Sequence, residues 1–302
     1  MLVWLQTAVD SVYGVISDTV LRFFPLINLI LMIIAGCFGS LLVGKIKPAL
    51  RDALLRGLGL LVLLMGCTEL WNGFFVLQVG QFETTGTMLV VVSLVLGYGL
   101  GLVFRPERGL GRLGLWLSRK FLKDKQDKLR RRVVAAPTET AEGMPDGAPV
   151  LVEILPARPE KPHSAEGFML ASVICAFGSP TVFGVLGSGY ATDALPLLWS
   201  IGFHVVVMFV LNAVFGSSCS LAAIPVLVVE GILWLVGFLW GDLLTYTLVS
   251  QIRLIGAAVL LAAGIALGMG KRVRAARLIP AYLFPVIYGV ALLLVRRMME
   301  SD

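Results

Sequence analysis

The feature that most constrains this chain is a succession of apolar runs, each close to the roughly twenty residues that a helix needs to cross a hydrocarbon core. Residues 222–240, AAIPVLVVEGILWLVGFLW, show the pattern: eighteen of nineteen side chains are apolar, glycine or proline, and the exception is Glu230. Inside lipid every backbone amide and carbonyl must find its partner within the protein, which leaves helices or a closed barrel. The runs are continuous, not alternating, so they predict helices. Composition agrees: only 15% of the 302 residues are charged and the mean hydropathy is +0.90, against about 25% charged residues in a soluble domain.

The expected fold is therefore all-α, a polytopic transmembrane helical bundle of about eight spans with kinked or broken helices. The predicted spans are 24–44, 57–76, 86–104, 167–187, 196–215, 219–240, 253–270 and 278–295. The chain divides into an amphipathic N-terminal segment (1–23), spans one to three (24–104), a basic amphipathic helix and flexible cytoplasmic linker (105–166), and spans four to eight (167–296).

Charge sets an orientation. The segments 45–56, 105–132, 133–166 and 271–277 together hold 21 of the 25 Lys and Arg residues. The intervening loops near 77–85, 188–195 and 241–251 hold none, and carry Glu83, Asp193 and Asp242 instead. This alternation predicts basic loops in the cytoplasm and both termini outside. Arg296 and Arg297 run against the trend and are accommodated by snorkelling. Residues 1–23 lack a basic start and a clear cleavage site, so no cleaved signal peptide is expected. Leu2, Leu5, Val9, Val12, Ile16 and Val20 recur at helical spacing, which suits a helix lying on the outer surface; a ninth span is the competing reading.

In 105–132, Leu110, Leu113, Trp116, Leu117, Phe121 and Leu122 interleave with eleven Lys and Arg residues. That is a basic amphipathic helix suited to anionic headgroups; nucleic acid is not expected as a partner. The stretch 133–166, rich in Pro, Glu and Ala, reads as a flexible linker with a short extended piece at Pro149–Leu155. Cys37, Cys67, Cys175 and Cys219 show no CxxC spacing and read as small packing residues. With two histidines in the chain, His163 and His204, no metal site is expected, and no cofactor.

Candidate functional residues lie in the apolar spans themselves, where an ionisable side chain points to function by default. Spans five and six form a hairpin around Phe215-Gly216-Ser217-Ser218. Glu230 follows Ser217 by thirteen residues, and His204 precedes it by thirteen. Both then lie about 20 Å from the turn, level with each other near mid-membrane. Facing each other, they can form a proton relay or bind a cation or polar solute; the alternative is a structural pair. In the fourth span, CAFGSPTVFG carries Gly178, Ser179 and Pro180. Pro180 removes an amide and clashes with the preceding turn, which predicts a break at mid-depth. The turn GSSCS offers Ser217 and Ser220, which with Asn212 complete the candidate pathway; Ser218 as a plain N-cap is the simpler account of the turn. Glu69 is expected near the outer interface with Arg253 as partner. Gly36, Gly39 and Ser40, Gly97, Gly99 and Gly101, and Gly264 and Gly268 suit close helix packing.

The segments INLILMIIAGCFGSLLVG, GFMLASVICAFGSPTVFG, FGSSCSLAAIPVLVVEG and IRLIGAAVLLAAGIALGMGKRVRAARLIPAYL, in that order, resemble the YqgA/YdfK-like family of bacterial inner-membrane proteins (domain of unknown function 554) over roughly residues 24–296, the linker excepted. The resemblance implies a multi-pass protein of the bacterial cytoplasmic membrane and suggests transport. It also implies a Lys and an Asp along the fifth span, where WSIGFH has neither; His204 stands near the acidic position, and Glu230 replaces an amide.

The leading expectation is a secondary transporter or channel-like carrier of a small solute or ion, not an enzyme, with membrane lipid as a partner and a second copy of the chain as a candidate one. A scaffold or regulator acting through the basic segment is the alternative. An intramembrane enzyme is disfavoured because His204 lies about 20 Å in depth from Ser217 and Ser220. No GxxxxGK[ST] motif is present, which argues against ATP-driven pumping by this chain alone.

Overall fold

The computed structural model describes residues 23–43, 45–78, 81–84, 87–118, 120, 163–187, 195–240, 246–270 and 274–300. The N-terminal surface helix, most of the linker and the extended piece at Pro149–Leu155 fall outside these residues. Among the described residues ten helices run in chain order: α1 (Phe23–Ser40), α2 (Pro48–Phe74), α3 (Thr87–Phe104), α4 (Pro106–Ser118), α5 (His163–Phe177), α6 (Ser179–Gly187), α7 (Leu195–Phe215), α8 (Ala223–Trp240), α9 (Tyr246–Met269) and α10 (Leu283–Glu300). Short 3-10 turns, Ser217–Ala222 and Ala275–Tyr282, lead into α8 and α10. The fold is all-α apart from one antiparallel hairpin after α2, β1 (Phe75–Gln78) with β2 (Gln81–Thr84), in register Phe75 opposite Thr84.

Large apolar side chains cover the outer surface as well as filling the core. The outer faces carry Ile30, Ile34 and Phe38 on α1, Val91, Val95 and Leu96 on α3, and Val228, Ile232 and Phe238 on α8, all exposed. The buried set includes Asn28, Glu69, Ser179, Thr181, Ser200, His204, Asn212 and Glu230. A bundle with apolar groups outside and polar groups inside is built for a hydrocarbon solvent. Five helices are long and apolar enough to cross a membrane, and α3 with α4, bent by 52°, makes a sixth if counted as one span. Two further apolar helices, Glu166–Val182 and Ala275–Ala291, are shorter.

Several helix ends differ from the sequence expectation. The second span starts at Pro48, not near 57, because proline has no amide to leave unsatisfied in a first turn; Arg51 and Arg56 are therefore helical. The seventh starts at Tyr246, so Gln251 and Arg253 also lie on a helix. The stretch expected as a loop near 77–85 contains most of the β-hairpin. Cys175 and Cys219 are buried as packing residues, whereas Cys37 and Cys67 face outward.

α2 and α9 share a seam built on small residues. Gly59, Gly66 and Gly73, seven apart, are all buried. A Cβ at Gly59 would lie 2.4 Å from the amide nitrogen of Gly268, one at Gly66 would meet Leu261, and one at Gly73 would meet Leu254. Such a stripe lets two backbones approach closely, which is how membrane helices gain packing energy without a hydrophobic drive. The other small-residue faces pack as expected at Gly36, Gly39, Gly97 and Gly101; Gly99 faces open space.

The broken pair α5–α6 is the most enclosed part of the bundle. Ala171 to Ala176 and Gly178 to Val182 are buried without interruption, surrounded by packing from α7, α8 and α9. The functional candidates gather around this break.

Candidate functional site

The break falls at Gly178, between the last residue of α5 and the first of α6. A side chain at this position would place its Cβ 2.3 Å from the carbonyl oxygen of Ile174, so the kink needs glycine. A helix that ends inside the bundle must have its last carbonyls satisfied. Here side chains do it: the Thr181 hydroxyl donates to the carbonyl of Cys175 at 2.8 Å, and Tyr282 donates to that of Phe177 at 2.6 Å.

Thr181 starts a chain of buried polar contacts. His204 Nε2 on α7 lies 2.8 Å from Thr181 Oγ1. The Thr181 hydrogen is already committed to Cys175, so its oxygen accepts and the imidazole carries its proton on Nε2. His204 Nδ1 is then an acceptor, and Asn28 Nδ2 on α1 lies 2.9 Å from it. The same Asn28 amide donates to Glu230 Oε1 on α8 at 2.6 Å. His204 Nδ1 is itself 3.6 Å from Glu230 Oε1. Four helices thus each contribute one polar side chain to one point in the interior, and all four side chains are fully buried. Ser200, one turn before His204, lies 3.5 Å from Thr181. Among the described residues nothing hydrogen-bonds Glu230 Oε2, although that atom is closed off from solvent.

A second cluster occupies the other side of the break. Ser179 donates to Glu69 Oε2 at 2.9 Å, and Arg253 Nε reaches the same oxygen at 2.5 Å. The pairing of Glu69 with Arg253 follows the sequence expectation, but Ser179 belongs to this ion pair and not to His204 and Glu230. The adjacent Pro180 is buried within the break.

A third node lies one helix segment away. Asn212 Oδ1 accepts from Ser220 at 2.7 Å while its amide donates back to the carbonyl of Met208 at 2.8 Å. Asn212 follows His204 by eight residues, about 12 Å along the helix, and Val207, Met208 and Leu211 between them are fully buried. Ser217 begins the same 3-10 turn as Ser220 and is half-buried. Ser218 is not the N-cap: Gly216 takes that position with φ 98°, a conformation favouring glycine, and no side chain caps the turn.

The eight residues singled out from sequence therefore separate into His204 with Glu230, Ser179 (joined to Glu69 and Arg253), Asn212 with Ser220, Ser217 at the start of the same turn as Ser220, and the break itself at Gly178 and Pro180. Sequence reasoning missed Asn28 and Thr181, the two side chains that join His204 to its neighbours. Asn28 had a usable signal: it is the sole amide in the run PLINLILMIIAG. Among the described residues no group of three or more His, Cys, Asp or Glu side chains could hold a metal ion.

Comparison with known proteins places these residues within one family model: that of a family described as "Protein of unknown function (DUF554)" matches residues 24–290. No curated protein and no solved structure matches the chain.

Proposed function

The chain belongs to the DUF554 family of proteins of unknown function, and from that premise we propose that it is a secondary transporter or channel-like carrier, not an enzyme, moving a proton or small cation through the interior of the bundle. The observation that carries this reading is the buried carboxyl of Glu230, which is held on one oxygen by Asn28 and has no partner on the other among the described residues. A group so placed suits the taking up and giving up of a positive charge. A proton leaving Glu230 has an acceptor in His204 Nδ1, 3.6 Å away. Once protonated there, the ring faces the Asn28 carbonyl oxygen at 3.1 Å while Nε2–H stays on Thr181. The break at Gly178 brings the second ionic cluster, Glu69 with Arg253, to the other face of the same helix. Broken helices at mid-depth are a recurrent way of building transport sites. The buried layer of Val207, Met208 and Leu211 separates the His204 cluster from Asn212 and Ser220, as expected of an occluded state.

The same reading takes α5–α6 as one span and the 3-10 turn with α10 as another, making eight, with the basic loops in the cytoplasm of a bacterial inner membrane. A scaffold acting through the basic segment is the alternative.

The test is flux in sealed vesicles containing the purified protein, under imposed pH and cation gradients. Glu230→Gln and His204→Ala are each expected to abolish flux while the protein stays folded. Flux retained in both variants would assign the pair a structural role. No flux from the wild-type protein under any gradient would favour the scaffold.

A further inference from the structure

We propose that the cleft where α3 bends into α4 is a binding site for the phosphate of an anionic phospholipid, separate from the buried polar path. The bend is made at Arg105, whose φ of 49° is the sole positive value among the described non-glycine residues. Around it lie two adjoining hollows of about 330 and 660 Å³ that share Leu102, Arg105 and Arg108. Arg274 and Arg277 close one, and Arg112 lines the other. Four arginines thus line the smaller hollow and three the larger, five in all, with a single carboxylate, Glu107, among the lining residues.

One oxygen of that carboxylate is already committed. Glu107 Oε1 accepts from Arg277 Nε at 3.0 Å and lies 3.6 Å from Arg274. It therefore locks the start of α4 to the turn before α10 and does little to offset Arg105, Arg108 and Arg112, which stay exposed. A planar guanidinium matches a phosphate through paired N–H donors, and several converging on one cleft form an anion site, not a mere charged face.

Two observations favour a lipid over a free anion. Val103 and Phe104, on the rim of the larger hollow, are exposed by 76% and 72%. They end α3, so an acyl chain lying along α3 would run off them directly beneath a phosphate in the cleft. Secondly, α4 is shaped as an interfacial helix. Its inner face packs Leu117 into the core and seats Gly114 on Phe168. Arg108, Arg112 and Trp116 recur every four residues on its outer face, and Lys120, two residues past its end, lies over the Trp116 ring at 5.1 Å. A basic stripe with a tryptophan is the signature of a headgroup-level helix.

The test uses the full-length protein in neutral detergent, titrated separately with phosphatidylglycerol, phosphatidylcholine and inorganic phosphate, binding being read by native mass spectrometry. Saturable retention of phosphatidylglycerol over phosphatidylcholine is expected. Arg108→Gln/Arg274→Gln should weaken it roughly thirtyfold, the effect of losing two cations near a charged surface. The remote control Lys45→Gln/Lys47→Gln, with the same loss of charge, should change it less than about twofold because the effect is local. Arg108→Lys/Arg274→Lys keeps the charge and guards against misfolding; it should fall between wild type and the glutamine variant. Equal weakening in the cleft and control variants would overturn the site in favour of diffuse attraction. Displacement of the lipid by millimolar inorganic phosphate would overturn the lipid assignment in favour of a free-phosphate site.

Discussion

The side-chain amide of Asn28 donates to Glu230 Oε1 at 2.6 Å, tying the first long helix to a residue 202 positions later. The same amide nitrogen lies 2.9 Å from His204 Nδ1. One neutral side chain is therefore the shared donor for both ionisable groups of the buried cluster, and their geometry depends on it.

Replacing Asn28 with leucine strands two buried acceptors at once. Each buried polar group left without a partner costs about 1–3 kcal/mol, so Asn28→Leu should lower the unfolding temperature in detergent markedly. Adding Glu230→Leu should recover part of the loss, because an apolar pair needs no hydrogen bond. An Asn28→Leu protein as stable as wild type would show that the amide does not hold the cluster together.

The Glu69–Arg253 pair is expected to matter more for stability than any surface ion pair in the chain. Glu69 is 8% exposed, and removing one partner of a buried pair costs about 3–5 kcal/mol. Glu69→Ala should therefore be strongly destabilising, and Ser179→Ala, which removes one hydrogen bond to the same carboxylate, should cost about 1 kcal/mol. Thermal unfolding of the two variants side by side checks the ranking.

Gly57 and Gly59, two residues apart on α2, make a matched contrast. Gly59→Val drives a side chain into the backbone of Gly268, and overpacking of this kind costs about 1–3 kcal/mol or more. Gly57→Ala meets nothing within 4 Å and should be neutral or stabilising by up to about 1 kcal/mol through helix propensity. Expression level and unfolding temperature read both, and equal effects would contradict the seam.

Acid should loosen the junction between α4 and the turn before α10. Burial pushes the Glu107 carboxyl upward, but its backbone hydrogen bond and Arg277 and Arg274 outweigh this and hold it below the ordinary value of 4.5. A lowered folded-state pKa gives stability that is fully present above the unfolded value and is lost as pH falls through the folded one. The difference in unfolding temperature between wild type and Glu107→Gln should be constant at neutral pH and shrink once the pH drops below 4.5. A difference that grows on acidification would reverse the assignment.

Much of this arrangement was legible before any coordinates. The equal spacing of His204 and Glu230 from Ser217 placed them level on a tight hairpin, and the bundle has them 3.6 Å apart. Glu69 and Arg253 were paired from their positions near the same membrane face. The break at Gly178 followed from Pro180, because a missing amide and a ring clash act locally. What depended on distant packing was not legible. Asn28 sits in a run whose span assignment ignored it, and only the seating of α1 beside α7 and α8 brings its amide to both groups. Ser179 and Thr181 are two residues apart, so their side chains leave the helix about 200° apart. Their place in the sequence marked the break but not which cluster each would join.

That divergence makes α6 a see-saw. Ser179 grips the Glu69 carboxylate on one flank and Thr181 takes the His204 proton on the other. A sideways displacement of the helix that shortens one of these contacts lengthens the other. The two buried clusters therefore share one short helix as their common wall, hinged where Gly178 carries no side chain.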